Sequence, residues 1–112
     1  MKAEPNRQTV YIVKAHGQIL VRPSWVMLRD GDNDIEVHNH SGEGVDLVVP
    51  PTLFIPGVSE EGSRSVEAGE AKVIRLPLTS KASPGAHAYG FYGKDSREFA
   101  VGDSSPIFIV DR

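Results

Sequence analysis

Eight prolines and eleven glycines are scattered through these 112 residues, and no stretch of ten or more repeats apolar side chains at i, i+3 and i+4. Proline removes a backbone donor and glycine costs entropy in a helix interior, so long helices are excluded. What remains are short apolar runs cut by Gly, Pro, Asp, Asn and Ser at intervals of roughly 8 to 12 residues, the spacing of strands in a sandwich. Ordering the chain costs on the order of 150 kcal/mol of conformational entropy. The buried apolar surface must therefore be contiguous, and we expect a single all-β domain over residues 1–112.

The runs can be followed in order. Val10 and Ile12 alternate with Tyr11 and Val13 until His16-Gly17 interrupts them, and Gln18 to Val21 resumes, as two strands or one broken strand. Pro23 breaks this run, Trp25 to Leu28 continues it, and Arg29 to Asn33 is a turn cluster in which glycine takes φ > 0 without steric cost. From Asp34 to His40 the alternation is strict: Ile35, Val37 and Asn39 share one face, and Asp34, Glu36, His38 and His40 the other. Val45 to Val49 ends at Pro50-Pro51, and 52–64 reads as irregular loop. In Ala71 to Leu78, Ile74, Leu76 and Leu78 share a face, while Pro77 implies an edge or an early end. His87, Tyr89 and Phe91 alternate with small residues, and Pro106 to Val110 is apolar on both faces, as a central strand would be.

Composition removes several function classes. A net charge of -3 with both signs interspersed provides no cationic stripe for phosphates or anionic lipid, so neither nucleic acid nor membrane insertion is expected. Without cysteine there is no disulfide, thiolate ligand or cysteine nucleophile. The polar start, Met1 to Pro5, lacks the apolar run of a signal peptide. A cytoplasmic home is expected for the chain as it stands, and a periplasmic or secreted one if a leader has been removed.

Read together, Val21-x-Pro23-x-x-Val26-x-Leu28-x-x-Gly31-Asp32, Ile35-x-Val37-x-Asn39, Val45-Asp46-Leu47-Val48, Val66-Glu67-Ala68-Gly69-Glu70 and Pro84-Gly85-Ala86-His87-Ala88-Tyr89-Gly90-Phe91 resemble the cupredoxin family of plastocyanin-like sandwiches. The stretch from Gly31 to Asn39 is one residue longer than the family spacing. The resemblance implies a two-sheet Greek-key β-sandwich. Redox members of that family hold type 1 copper with two histidines, a cysteine and a weak axial methionine. By this resemblance the first histidine falls at Asp46 and the cysteine of the Tyr-x-Phe-x-Cys strand at Phe91, and Tyr92 to Ser105 contains neither histidine nor methionine. The expectation is a member lacking type 1 copper.

Other residues retain chemical interest. Glu36, His38 and His40 lie at i, i+2 and i+4 on one strand face, neighbours roughly 7 Å apart, close enough for adjacent imidazoles to chelate a divalent ion weakly. Otherwise they are a solvated polar face. His87 is expected at a core or boundary position, bonded to a loop. Leu53, Phe54 and Ile55 make an apolar segment where a connection is ordinarily polar; they are a lid on the sandwich or, with Trp25, an interaction patch. No Gly-x-Ser-x-Gly elbow or other ordered catalytic signature is present. The sequence thus points to a non-enzymatic binding or interaction module without a cofactor, whose partner is a protein or a second copy of itself, with metal binding through Glu36, His38 and His40 as the alternative.

Overall fold

A computed structural model describes residues 6–55, 64–101 and 106–111. Ten strands follow one another: β1 (Asn6–Ala15), β2 (Gln18–Arg22), β3 (Trp25–Leu28), β4 (Asp32–His40), β5 (Val45–Val48), β6 (Ser65–Val66), β7 (Ala71–Pro77), β8 (Gly85–Ala88), β9 (Gly90–Gly93) and β10 (Ile107–Val110). Among the described residues no helix is long and apolar enough to cross a membrane.

Local chemistry accounts for the boundaries. β1 and β2 are two strands of one hairpin, because His16 and Gly17 both take positive φ, 53° and 76°, the backbone twist that two-residue hairpin turns need. β7 ends at Pro77 and lies at the edge of its sheet, whose order is β2-β1-β4-β7; a proline there leaves no ladder donor missing. β1 runs parallel to β4, and β4 antiparallel to β7. Alternation in β4 places Ile35, Val37 and Asn39 inside, all at most 2% exposed.

Asp34 departs from that alternation. It is buried at 4% exposure despite lying on the polar parity, because Arg75 of β7 and Arg7 of β1 sit opposite it in register. Arg75 donates from Nε and Nη2 at 2.8 and 3.2 Å. A carboxylate can be taken out of water when fork-shaped donors meet it.

The second layer divides into two hydrogen-bonded groups, β3-β10-β8 and β6-β5-β9. One run of chain serves both: Gly85–Ala88 pairs with β10, and after Tyr89 Gly90–Gly93 pairs with β5. Between the layers lie Val10, Ile12, Val21, Val26, Leu28, Val37, Phe91 and Phe108, each 0 or 1% exposed. Tyr89 stacks on Phe108 at 4.2 Å and meets Phe91 edge-on at 5.8 Å.

Candidate functional site

The β5–β9 ladder has two ends, and they are built from opposite chemistry. At one end Val45 pairs with Gly93; at the other, Val48 pairs with Gly90.

The Gly93 end is closed by Glu43. This carboxylate lies in the turn between β4 and β5 and is 4% exposed. Its Oε1 accepts from the Asp95 and Ser96 amides at 3.0 and 2.9 Å and from Ser96 Oγ at 3.1 Å, and Lys14 Nζ donates to Oε2 at 3.2 Å. The Ser96 amide, then the Lys14 ammonium and the other donors, hold its pKa below the usual glutamate value against the opposing effect of burial. Asn39 ties the same turn down, donating to the Glu43 carbonyl at 2.7 Å and to the Val66 carbonyl at 3.0 Å.

Phe91, where the resemblance places the copper cysteine, is a core ring, 1% exposed. A Cβ at Gly93 would lie 2.5 Å from Glu43 Oε1 and from Ile19 Cδ1 and 2.6 Å from Ser96 Oγ. Asp46, on the other face of β5, accepts from Ser65 Oγ and lies 3.5 Å from Lys94 Nζ.

The Gly90 end is open. A groove of about 680 Å³ is lined by Val48, Val49, Pro50, Ala88, Tyr89, Gly90, Phe99, Ala100, Val101 and Pro106. It lies where the middle strand changes partners at Tyr89, and none of the described residues that line it is charged. Val48, Phe99 and Val101 are 45, 55 and 42% exposed. Phe99 lies over Gly90, where a Cβ would meet its Cδ1 at 2.8 Å, and its ring is 5.1 Å from that of Tyr92. Tyr89 has a buried hydroxyl without a hydrogen-bond partner among the described residues, and burial raises its pKa.

The residues singled out from sequence fall in several places. Glu36 and His38 touch, Oε2 to Nε2 at 3.1 Å, and the His38 and His40 rings lie 6.3 Å apart and near parallel. Among the described residues no three His, Cys, Asp or Glu side chains gather in a way that would hold a metal ion. His87 is partly exposed and meets the Ser83 carbonyl through Nε2 at 2.8 Å. Leu53 and Phe54 are not available as an interaction patch: they are 1 and 5% exposed, with Phe54 edge-on to Phe108 at 5.7 Å. They fold back because Phe54 bridges to Leu78 and the Leu53 carbonyl accepts from Thr79. Ile55 and Trp25 remain half exposed, at 47 and 49%. Pro56 to Val58, the end of that apolar loop, lies outside the described residues. Sequence reading missed Glu43 and the groove. The one available signal for the first was a carboxylate between two glycines directly before a strand.

No protein-family model matches the chain, and no curated protein matches it in sequence. Solved structures do. It is similar to a multicopper oxidase from Campylobacter jejuni, described as a metallo-oxidase, with a TM-score of 0.62 and 15% identity over 99% of this chain and 29% of that one. A laccase-like multicopper oxidase from the lignin-degrading bacterium Ochrobactrum sp. gives 0.58 and 16% over 95% and 27%. A third multicopper oxidase gives 0.60 and 14% over 94% and 41%. The chain therefore spans well under half the length of each. All three are enzymes, which overturns the expectation of a non-enzymatic module: this architecture is one from which oxidases are built. What the likeness shows of the chain itself is its fold, an all-β cupredoxin-like sandwich.

Proposed function

We propose that this chain is a ligand-binding domain on a cupredoxin-like sandwich, taking a neutral, largely apolar molecule in the groove at the Gly90 end and holding no type 1 copper on its own residues. The groove carries the reading. Its volume of about 680 Å³ falls within the roughly 300–1,000 Å³ typical of small-molecule sites. The described lining is uncharged and gives nothing to offset the desolvation of an ionic ligand, so it selects against one. Exposed Val48, Phe99 and Val101 would leave water on binding, each apolar Å² contributing about 25 cal/mol.

Type 1 copper does not fit these residues. The 112 residues contain no cysteine to supply a thiolate, and the position where the resemblance places that ligand is Phe91, a core ring 1% exposed that offers no lone pair. Asp46, where it places the first histidine, accepts from Ser65 Oγ and lies 3.5 Å from Lys94 Nζ. Those contacts support a domain whose chemistry has moved away from the metal position.

Titration with a neutral naphthalene fluorophore tests the reading. Binding should saturate at one site and shift the amide resonances of Val48, Ala88 and Val101. Ala88→Trp, which fills the groove, and Val48→Glu, which charges it, should each weaken binding about 10-fold or more, a change of about 1.4 kcal/mol. Unchanged affinity in both variants, with melting temperatures intact, would sink the proposal.

A further inference from the structure

Sheet β2-β1-β4-β7 carries a different constellation on its outer face. Tyr11, His38 and His40 form a rack of near-parallel rings: Tyr11 to His38 at 5.0 Å and 30°, Tyr11 to His40 at 6.5 Å and 12°, His38 to His40 at 6.3 Å and 24°. The register explains it. Tyr11 of β1 stands directly opposite His38 of β4, and on the other side His38 faces only Ala71 of β7.

We infer that His38 and His40 form a two-histidine site for a late first-row divalent metal ion, Cu(II) most tightly, with Glu36 as the positioning residue behind His38 and water completing the coordination. A metal–nitrogen bond of about 2 Å places each ring centre about 3 Å from the ion, so two imidazoles sharing one ion have centres on the order of 5–6 Å apart. The observed 6.3 Å is just beyond that range, and because the rings are stacked at 24° the exposed His40 has to turn to bring a nitrogen to the shared ion.

Glu36 fixes which nitrogen is available. An ionised carboxylate can only accept, so its 3.1 Å contact makes His38 Nε2 the protonated nitrogen and leaves the Nδ1 lone pair free. Metal-bound histidines characteristically donate their second N–H to such a partner, which sets the ring orientation and raises ligand basicity. Tyr11 limits the rotation of His38 from the side. One of the two imidazoles is thus already oriented, and less side-chain freedom is lost when the ion binds. Two neutral imidazoles with open water positions follow the Irving–Williams order, so Cu(II) should exceed Zn(II). This site is on the opposite layer from the β5–β9 groove and does not depend on the ligand proposed there.

The test is calorimetric titration of the full chain with Cu(II) supplied as its glycine complex at pH 7.5, followed by electron paramagnetic resonance. One ion per chain with nitrogen superhyperfine splitting from two imidazoles is expected. His38→Ala and His40→Gln should each abolish that signature, and Glu36→Gln should weaken binding about 10-fold while leaving two nitrogens on the metal. Because His40 is exposed, His40→Gln tests the site without disturbing the fold; the melting temperature of each variant provides the check. Retention of the two-nitrogen signal in the His38→Ala, His40→Gln double variant, or its loss in His16→Ala or His87→Ala, would overturn the assignment.

Discussion

The two ends of one ladder of four residue pairs have been finished in opposite ways. At Gly93 a buried carboxylate collects two amides, a hydroxyl and an ammonium, and nothing is left over. At Gly90 three half-exposed apolar side chains rim a groove in which no described lining residue is charged. Both ends depend on a glycine in β9, but for different neighbours. The closed end is saturated by the chain's own donors, so it contributes rigidity and offers no vacancy. The open end has apolar surface still in contact with water, so a ligand can gain free energy there.

The comparison breaks first at Glu43. Glu43→Ala removes the shared acceptor of the Asp95 and Ser96 amides and the Ser96 hydroxyl, on residues that are themselves exposed, and should cost about 2 kcal/mol in urea unfolding; a loss below about 0.5 kcal/mol would mean that water replaces the carboxylate fully. The same carboxylate sets the response to acid. Glu43 and Asp34 have folded pKa values below their ordinary 4.5 and 3.8, so on acidification the unfolded chain binds protons first. Their stabilisation is full above about pH 5 and fades as the pH falls through 4.5 and then through the lower folded values. Glu43→Gln should flatten the decline in melting temperature between pH 5 and 3.

The glycines sharpen the contrast. Gly93→Ala drives a methyl into Glu43, Ile19 and Ser96, and overpacking against partners already pinned should cost about 2 kcal/mol. Gly90→Ala meets only Phe99, more than half exposed, and the ring can swing away at a cost of about 0.5 kcal/mol. Equal losses on thermal unfolding would erase the distinction between a closed and an open end. The smallest effect is at the groove's inner wall: Tyr89→Phe removes a buried hydroxyl with no partner and should raise stability by about 0.5 kcal/mol, read as a small upward shift in melting temperature.

Much of the fold could be read from the chain because its causes are local. The His16-Gly17 turn, the stop at Pro77, the alternation in β4 and the outward parity of Trp25 each depend on a few consecutive residues. Asp34 was misplaced because its burial is decided by Arg75, 41 residues on. Glu43 was invisible as a site because its amide partners lie 52 and 53 residues away. The short β6 was not read as a strand, since two residues carry no period. The groove draws on four separate segments, and none of them looks unusual alone. The histidines were legible because a strand puts i and i+2 side by side; the Tyr11 ring against them was not, since parallel pairing of β1 with β4 could not be foreseen.

The partner exchange at Tyr89 has a consequence for alignment. Gly85–Ala88 is indexed against β10 and Gly90–Gly93 against β5, so this single run is a ruler with two scales. A slip of one residue would turn Phe91 outward and bring Tyr92 into the interior. It would also carry the error across the kink into the neighbouring ladder, so the two halves of the layer must be correct together or fail together.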